Sequence, residues 1–183
     1  GSTETPDMAS ELHPVVQKFI LHWGEMGTKW GINRTVAQIH ALLFTSEKPL
    51  NAEEICQALG VARSNVSNSL KELQNWGIVK VVHIAGDRRD HFESMKDVYE
   101  MFRVILAERK RREVDPTLRL LAECLENETN DDESRYATER IGQLHELFQL
   151  SADFYDKTNR IPTKAAVKAM RAGDRLLKAL KLG

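Results

Sequence analysis

A chain of 183 residues is long enough for one sizeable domain or two small ones that share a core, and 42% hydrophobic with 29% charged residues excludes a disordered chain. A formal net charge of −1 argues against indiscriminate nucleic-acid binding by the whole surface, yet leaves room for locally basic faces. No apolar run approaches the roughly 18 residues of a membrane span, no secretory leader is read, and Cys56 and Cys124 alone make no disulfide framework, so a reducing cytoplasm is expected.

Residues 1–10 are expected to be a disordered N-terminus. Residues 11–32 are expected to hold the first helix, over 13–30, because Phe19, Trp23, Met26 and Trp30 recur at spacings of four, three and four. Gly24, Gly27 and Gly31 dilute its helix propensity and allow another backbone to come close. Asn33 can cap a second helix, 34 to about 46. Its Val36, Ala37, Ile39, Ala41, Leu42, Leu43 and Phe44 are apolar nearly all round, which predicts the buried centre of a domain.

Residues 51–73, NAEEICQALGVARSNVSNSLKEL, read as helix, tight turn, helix. Asn51 and Glu54 have capping-box spacing, and Gly60 follows the last apolar position, where positive φ is cheap. Val66, Leu70 and Leu73 share one face of the second helix. The opposite face holds Ser64, Asn68, Lys71 and Asn75, flanked by Arg63 and Ser67. Hydroxyls and amides bond base edges or phosphates, and cations neutralise phosphate, so this face suits a major groove. Ala62 stands where Ser or Thr would cap better, so Ser64 either takes over that cap or reads the groove.

The period then changes. Residues 78–84, IVKVVHI, are rich in β-branched side chains and predict a strand; 85–89, AGDRR, predict a tight turn; 90–93 return as a second strand. A ribbon tipped by Arg88 and Arg89 after a helix-turn-helix is a wing, placed for a minor groove or for phosphates, although the pair beside Asp87 and Asp90 also fits a local ion-pair turn. His83 and His91 are either ordinary strand residues or partners across the ribbon.

From residue 95 a helical period resumes. Val98, Phe102, Ile105 and Leu106 make one apolar face; Asp115-Pro116 is expected to break the chain and start another helix bearing Leu118, Leu121 and Leu125. Residues 126–133 form an acidic connector, 135–156 a helix and 163–181 the last helix. Their apolar faces need each other, the first helix or a second subunit. Domain limits are therefore expected at 33–94 for a DNA-binding winged helix-turn-helix and 95–183 for a helical dimerisation region. The fold class is mainly α, with a two-stranded β wing and N- and C-terminal dimerisation helices.

The last helix carries Lys164, Lys168, Arg171, Arg175 and Lys178 on one narrow face, and residues 157–181 have eight bases and one acid, a local charge of +7. Three readings stand open: a solvated or partner-facing side, pairing with the six acids of 123–133, or a flanking DNA contact. Cys56, beside Ile55, reads as a buried small hydrophobe. Six histidines without paired ligand spacing give no metal site, and no catalytic constellation or cofactor motif is present, so no enzyme is expected.

The strings WGEMGTKWGINRTVAQIHALLF, ARSNVSNSLKELQNWGIVKVVHIAGDRRDHFE and RKRREVDPTL resemble MarR-type winged-helix transcription regulators, and within them the GbsR-like branch. The resemblance spans roughly residues 19–118. It implies a homodimer on a pseudo-palindromic double-stranded DNA operator, usually repressing, with release by a small-molecule effector such as choline or betaine. By position it implies DNA contacts from Arg63, Ser64, Asn65, Ser67 and Asn68, with Lys71 on the same face, and from Arg88 and Arg89 on the wing. Phe19, Trp23, Met26 and Trp30 read first as core. If they wall an effector pocket, aromatic faces would attract a quaternary ammonium, a ligand that only the resemblance names. The competing reading is a winged helix used for protein contact without DNA.

Overall fold

The computed structural model describes residues 12–127 and 131–181. The expected loose N-terminus, and residues 128–130 of the acidic connector, lie outside the described residues. The chain divides into two units between Met101 and Phe102.

In the first unit, α1 (Pro14–Lys29) opens with His13 Nδ1 accepting from the Val15 amide, and α2 (Arg34–Phe44) opens with Asn33 Oδ1 accepting from Thr35 N at 2.8 Å. α2 is the centre that its sequence predicts: Val36, Ala37, Ile39, His40, Ala41, Leu42 and Leu43 are all buried. α1 meets α2 by the close approach that Gly24 and Gly27 are expected to allow, but its aromatic stripe is not core. The buried residues of α1 are Ile20, Gly24 and Gly27, while Phe19, Trp23 and Met26 are only half-buried. The contact is a backbone approach: a Cβ on Gly27 would lie 2.7 Å from the Ala37 Cβ, and one on Gly24 2.8 Å from Gln38 Cγ. Removing the side chain is what lets the two helices close.

α3 (Ala52–Leu59) and α4 (Arg63–Trp76) follow. The capping box forms as its spacing predicts, with Glu54 N donating to Asn51 Oδ1 at 2.9 Å and Asn51 N to Glu54 Oε1 at 3.1 Å. Gly60 takes φ 64° and its N–H reaches the Cys56 carbonyl at 2.8 Å, ending α3 and turning the chain into α4.

Three strands make the sheet, not two. β1 (Leu50–Asn51), β2 (Val79–Val82) and β3 (His91–Ser94) are ordered β1-β3-β2, with both pairings antiparallel. In the register Leu50 meets Phe92, Asn51 meets His91, and Val82 also meets His91. β1 is two residues long and runs straight into the cap of α3, so it carries no alternation that a sequence could display. β2 is shorter than the apolar run 78–84, because its partner supplies only four residues of ladder. His83 and His91 do not meet; His91 is buried with Nδ1 3.0 Å from the Arg89 carbonyl, and His83 faces Asp90 at 3.9 Å.

α5 (Val98–Arg109) leads into the second unit, which holds α6 (Asp115–Glu126), α7 (Asp132–Asn159) and α8 (Thr163–Ala179). The expected break at Asp115-Pro116 does not occur. A π-helical stretch, Lys110–Val114, carries the coil through, with Asp115 N bonded to the Lys110 carbonyl. Proline removes one donor and crowds the carbonyl four residues back; a wider turn ahead of it shifts the ladder so that the helix survives. Thr117 Oγ1 donates to the Glu113 carbonyl at 2.6 Å, and Lys110 pairs with Asp115 at 2.8 Å. α6 packs on α7, with Leu121 and Ala152 buried. Arg103 ties α5 to the junction of α7 and α8, donating to Thr163 Oγ1 and to the Asn159 carbonyl, each at 2.8 Å.

Candidate nucleic-acid interface

α4 is fixed from below. Val66, Leu70 and Leu73 are buried to within 2% of complete, Ser69 beside them is buried too, and the helix packs on α2 and α3. Its N-cap, Ala62, makes no side-chain hydrogen bond. Ser64 does not fill that role: it is exposed and forms no hydrogen bond among the described residues. Its hydroxyl is left facing solvent.

The outer side of α4 is a ridge with two flanks. On one flank Arg63, Ser67 and Lys71 line a cleft of about 420 Å³ together with Gln74 and, from the wing, Val81 and Arg89. Glu53 and Asp90 line it as well, so the cleft floor is not uniformly cationic. On the other flank Asn65 and Asn68 line a smaller cleft of about 240 Å³ with Asn33 and Thr35 at the start of α2. Ser64 stands between the flanks. Arg63, Ser64, Asn65, Asn68 and Lys71 are exposed, Ser67 is half-buried, and none of their side chains forms a hydrogen bond or ion pair among the described residues. The donors and acceptors of this row are therefore committed to no partner within the described fold.

The wing tip separates its two arginines. Arg89 holds Asp87 with both arms, Nε to Oδ1 at 3.0 Å and Nη2 to Oδ2 at 2.8 Å, and its backbone N–H adds a third bond at 3.0 Å. The side-chain hydrogen bonds from Arg89 hold the Asp87 carboxyl well below the usual carboxylate range. Arg88 is exposed and makes no such pair among the described residues. Sequence spacing places both arginines at the tip but does not tell which has a free guanidinium. Gln74, Asn33 and Thr35 join the site although spacing does not point to them; Asn33 signals itself only as a cap, and Gln74 only as a polar helix residue.

The aromatic group on α1 gathers differently from a single stripe. Phe19 and Trp23 lie 5.5 Å apart and both meet residues of α2: Phe19 approaches Phe44 at 6.1 Å, and Trp23 approaches His40 at 6.1 Å. Trp23 Nε1 donates to His40 Nδ1 at 3.2 Å. Met26 is half-buried, and Trp30, 45% exposed, is the C-cap residue of α1. Nothing in the sequence pattern singles out His40. It is 4% exposed, burial pushes its pKa down to about 4, and its Nε2 is buried with no hydrogen-bond partner among the described residues. Cys56 is half-buried rather than buried, and desolvation, with Glu53 adding to it, pushes its thiol pKa up.

Residues 30–90, which run from the end of α1 through α2, α3, α4, β2 and the wing tip, match the MarR family model. Over 137 residues the chain is 23% identical to the HTH-type transcriptional repressor OpcR of Bacillus subtilis (strain 168), covering 72% of this chain and 74% of that protein. It is 21% identical over 147 residues to the putative HTH-type transcriptional regulator YvaV of the same organism, covering 78% and 82%. A crystal structure of a transcriptional regulator superposes with a TM-score of 0.60 at 16% identity, covering 86% of this chain and 99% of that one, a likeness of fold. The fold is thus a winged helix with flanking helices, and the segment that builds α2, α4, β2 and the wing tip is similar to the MarR family of transcription regulators.

Proposed function

We propose that this chain is a transcription regulator of the MarR type that binds a pseudo-palindromic DNA operator as a homodimer. The observation that carries the reading is the row of exposed, uncommitted polar side chains on α4 beside a wing with a free Arg88. Asn65 and Asn68 are assigned to base edges, Ser64 to a base edge or phosphate, and Arg63, Ser67 and Lys71 to the backbone on the wing side. Arg88 lies on phosphate or in the minor groove, and Arg89 shapes the tip through Asp87 while adding to its field. The dimer brings two recognition helices to half-sites about 10 base pairs, or a multiple, apart.

Repression, effector release and a role in osmolyte synthesis or uptake follow from the resemblance to the GbsR-like branch, and the name of one relative includes repressor. Such a regulator works in the cytoplasm; among the described residues no helix is long and apolar enough to cross a membrane. The Phe19 and Trp23 rings, half-buried against α2, are the faces on which a quaternary ammonium such as choline or betaine would rest, with Met26 and Trp30 further along α1.

The test is selection of bound duplexes from a random pool, followed by titration of the selected sequence at two salt concentrations. A specific sequence with two-fold symmetry is expected. Asn68→Ala should lose about 1–3 kcal/mol of discrimination at a few base positions while leaving non-specific binding unchanged. Recovery of no preferred sequence, with or without choline or betaine, would instead favour a winged helix used for protein contact.

A further inference from the structure

The basic line on α8 is not absorbed by the function above. Lys164, Lys168, Arg171, Arg175 and Lys178 are separated by four, three, four and three residues, so at about 100° per residue they fall on one strip. All five are exposed, and α8 buries no residue. Lys178 pairs with Asp174 at 2.9 Å. Lys164, Lys168, Arg171 and Arg175 form no hydrogen bond or ion pair among the described residues, and none of the described acids of the connector reaches them. Pairing with that connector, one reading of the sequence, therefore finds no support among the described residues.

We infer that this strip is a second, sequence-independent contact to duplex DNA phosphates, an inference that rests on the DNA-binding reading of α4. The strip runs about 21 Å at 1.5 Å per residue, a length that faces on the order of six phosphates of one strand. A straight row of cations complements a linear polyanion, and a net charge of +7 over residues 157–181 stands against −1 for the whole chain. The opposite face of α8 carries Met170, Leu177 and Leu180 among Ala166, Ala169 and Gly173. It lacks the large aromatic side chains that seat a helix in a lipid surface, which disfavours a membrane as the occupant.

The test uses the full chain, a mixed-sequence duplex without the operator, and the variant Lys164→Gln, Lys168→Gln, Arg171→Gln, Arg175→Gln. Glutamine keeps helix propensity while removing charge. Binding is measured by anisotropy across a salt series. The slope of log K against log salt should become shallower by about 0.9 for each phosphate that the variant no longer neutralises, roughly two to four in all, with affinity at low salt falling at least about tenfold. An unchanged slope overturns the inference and leaves the α4 reading intact. A wild type that does not bind this duplex even at low salt also overturns the inference, while the α4 reading is judged separately by the selection of bound operator duplexes. Should the fourfold variant lose its helical circular dichroism, Lys164→Gln with Lys168→Gln alone must still flatten the slope, and Lys164→Arg with Lys168→Arg must restore it. Retention of the wild type on phosphatidylserine vesicles, at salt where duplex is not bound, would assign the strip to lipid and overturn the DNA contact.

Discussion

The two units differ in how completely they cover their own apolar surface. In the first, α2 is buried on nearly every side, and all the buried hydrophobic residues of the described chain except Leu121 and Ala152 lie there. In the second, α7 leaves Leu147, Leu150 and Phe154 exposed at 58%, 67% and 69%, and Leu120, Leu177 and Leu180 are exposed as well. Side chains of this size on one stripe of a helix mark a contact surface when they form a continuous patch. The first unit covers most of its own apolar surface; the second leaves an apolar stripe open to solvent, and a second copy of the chain is the cover proposed. Leu150→Glu with Phe154→Glu should therefore convert a dimer to a monomer in sedimentation. Operator affinity should fall by about 100-fold or more, because two linked half-sites become independent ones. A variant that stays dimeric with full affinity would place the interface elsewhere.

The same contrast predicts that acid attacks the first unit through its interior. Neutral His40 accepts from Trp23 through Nδ1 at 3.2 Å, so its proton sits on the buried Nε2. Its folded pKa, about 4, lies below the ordinary 6.5, so the unfolded chain takes up a proton first as pH falls. The stability this histidine contributes is complete above about 6.5 and is lost as pH drops toward 4, by up to about 3 kcal/mol. Urea unfolding at neutral and acidic pH measures it, and His40→Leu should remove that part of the pH dependence. Equal pH sensitivity in the variant would show that the loss comes from other groups. Next in size is the α1–α2 seam. Gly27→Ala puts a methyl 2.7 Å from the Ala37 Cβ, where neither side chain can swing away, and should cost about 1–3 kcal/mol by urea titration. No loss would mean that the two helices separate easily, and that the seam is not what positions α1.

Residues 51–73 are legible because each local rule agrees with the tertiary outcome. The capping box, Gly60 and the buried Val66, Leu70 and Leu73 all sit where spacing puts them. Three features are not legible, each because something beyond the local pattern decides it. β1 exists only as the partner of β3, and two residues carry no period. The aromatic stripe of α1 reads first as core but is half-exposed, because Gly24 and Gly27, whose close approach the sequence does signal, take the seam against α2. Asp115-Pro116 reads as a break and a new start; α6 does start at Asp115, but a π-helical turn ahead of it absorbs the missing donor and no break occurs. For the interface, spacing places the polar face of α4, but its division into an arginine–serine–lysine flank beside the wing and an asparagine flank beside α2 depends on the neighbours of the helix.

The smallest expected effect lies at the wing, where two adjacent arginines contrast within a single turn. Arg88 has no partner among the described residues, so Arg88→Ala should flatten the salt dependence of DNA binding by about 0.9 per phosphate it neutralises and weaken all sequences alike. Arg89→Ala is ambiguous by itself, because it removes a cation and also releases the Asp87 carboxylate, otherwise held at 2.8 and 3.0 Å, toward the phosphates. Asp87→Ala with Arg89→Ala separates the two, since it deletes the pair without changing net charge. If Arg89 acts mainly by holding Asp87, the double variant binds DNA almost as the wild type does while Arg89→Ala is clearly weaker. If Arg89 itself touches phosphate, the double variant is as weak as Arg88→Ala, and both arginines share the contact.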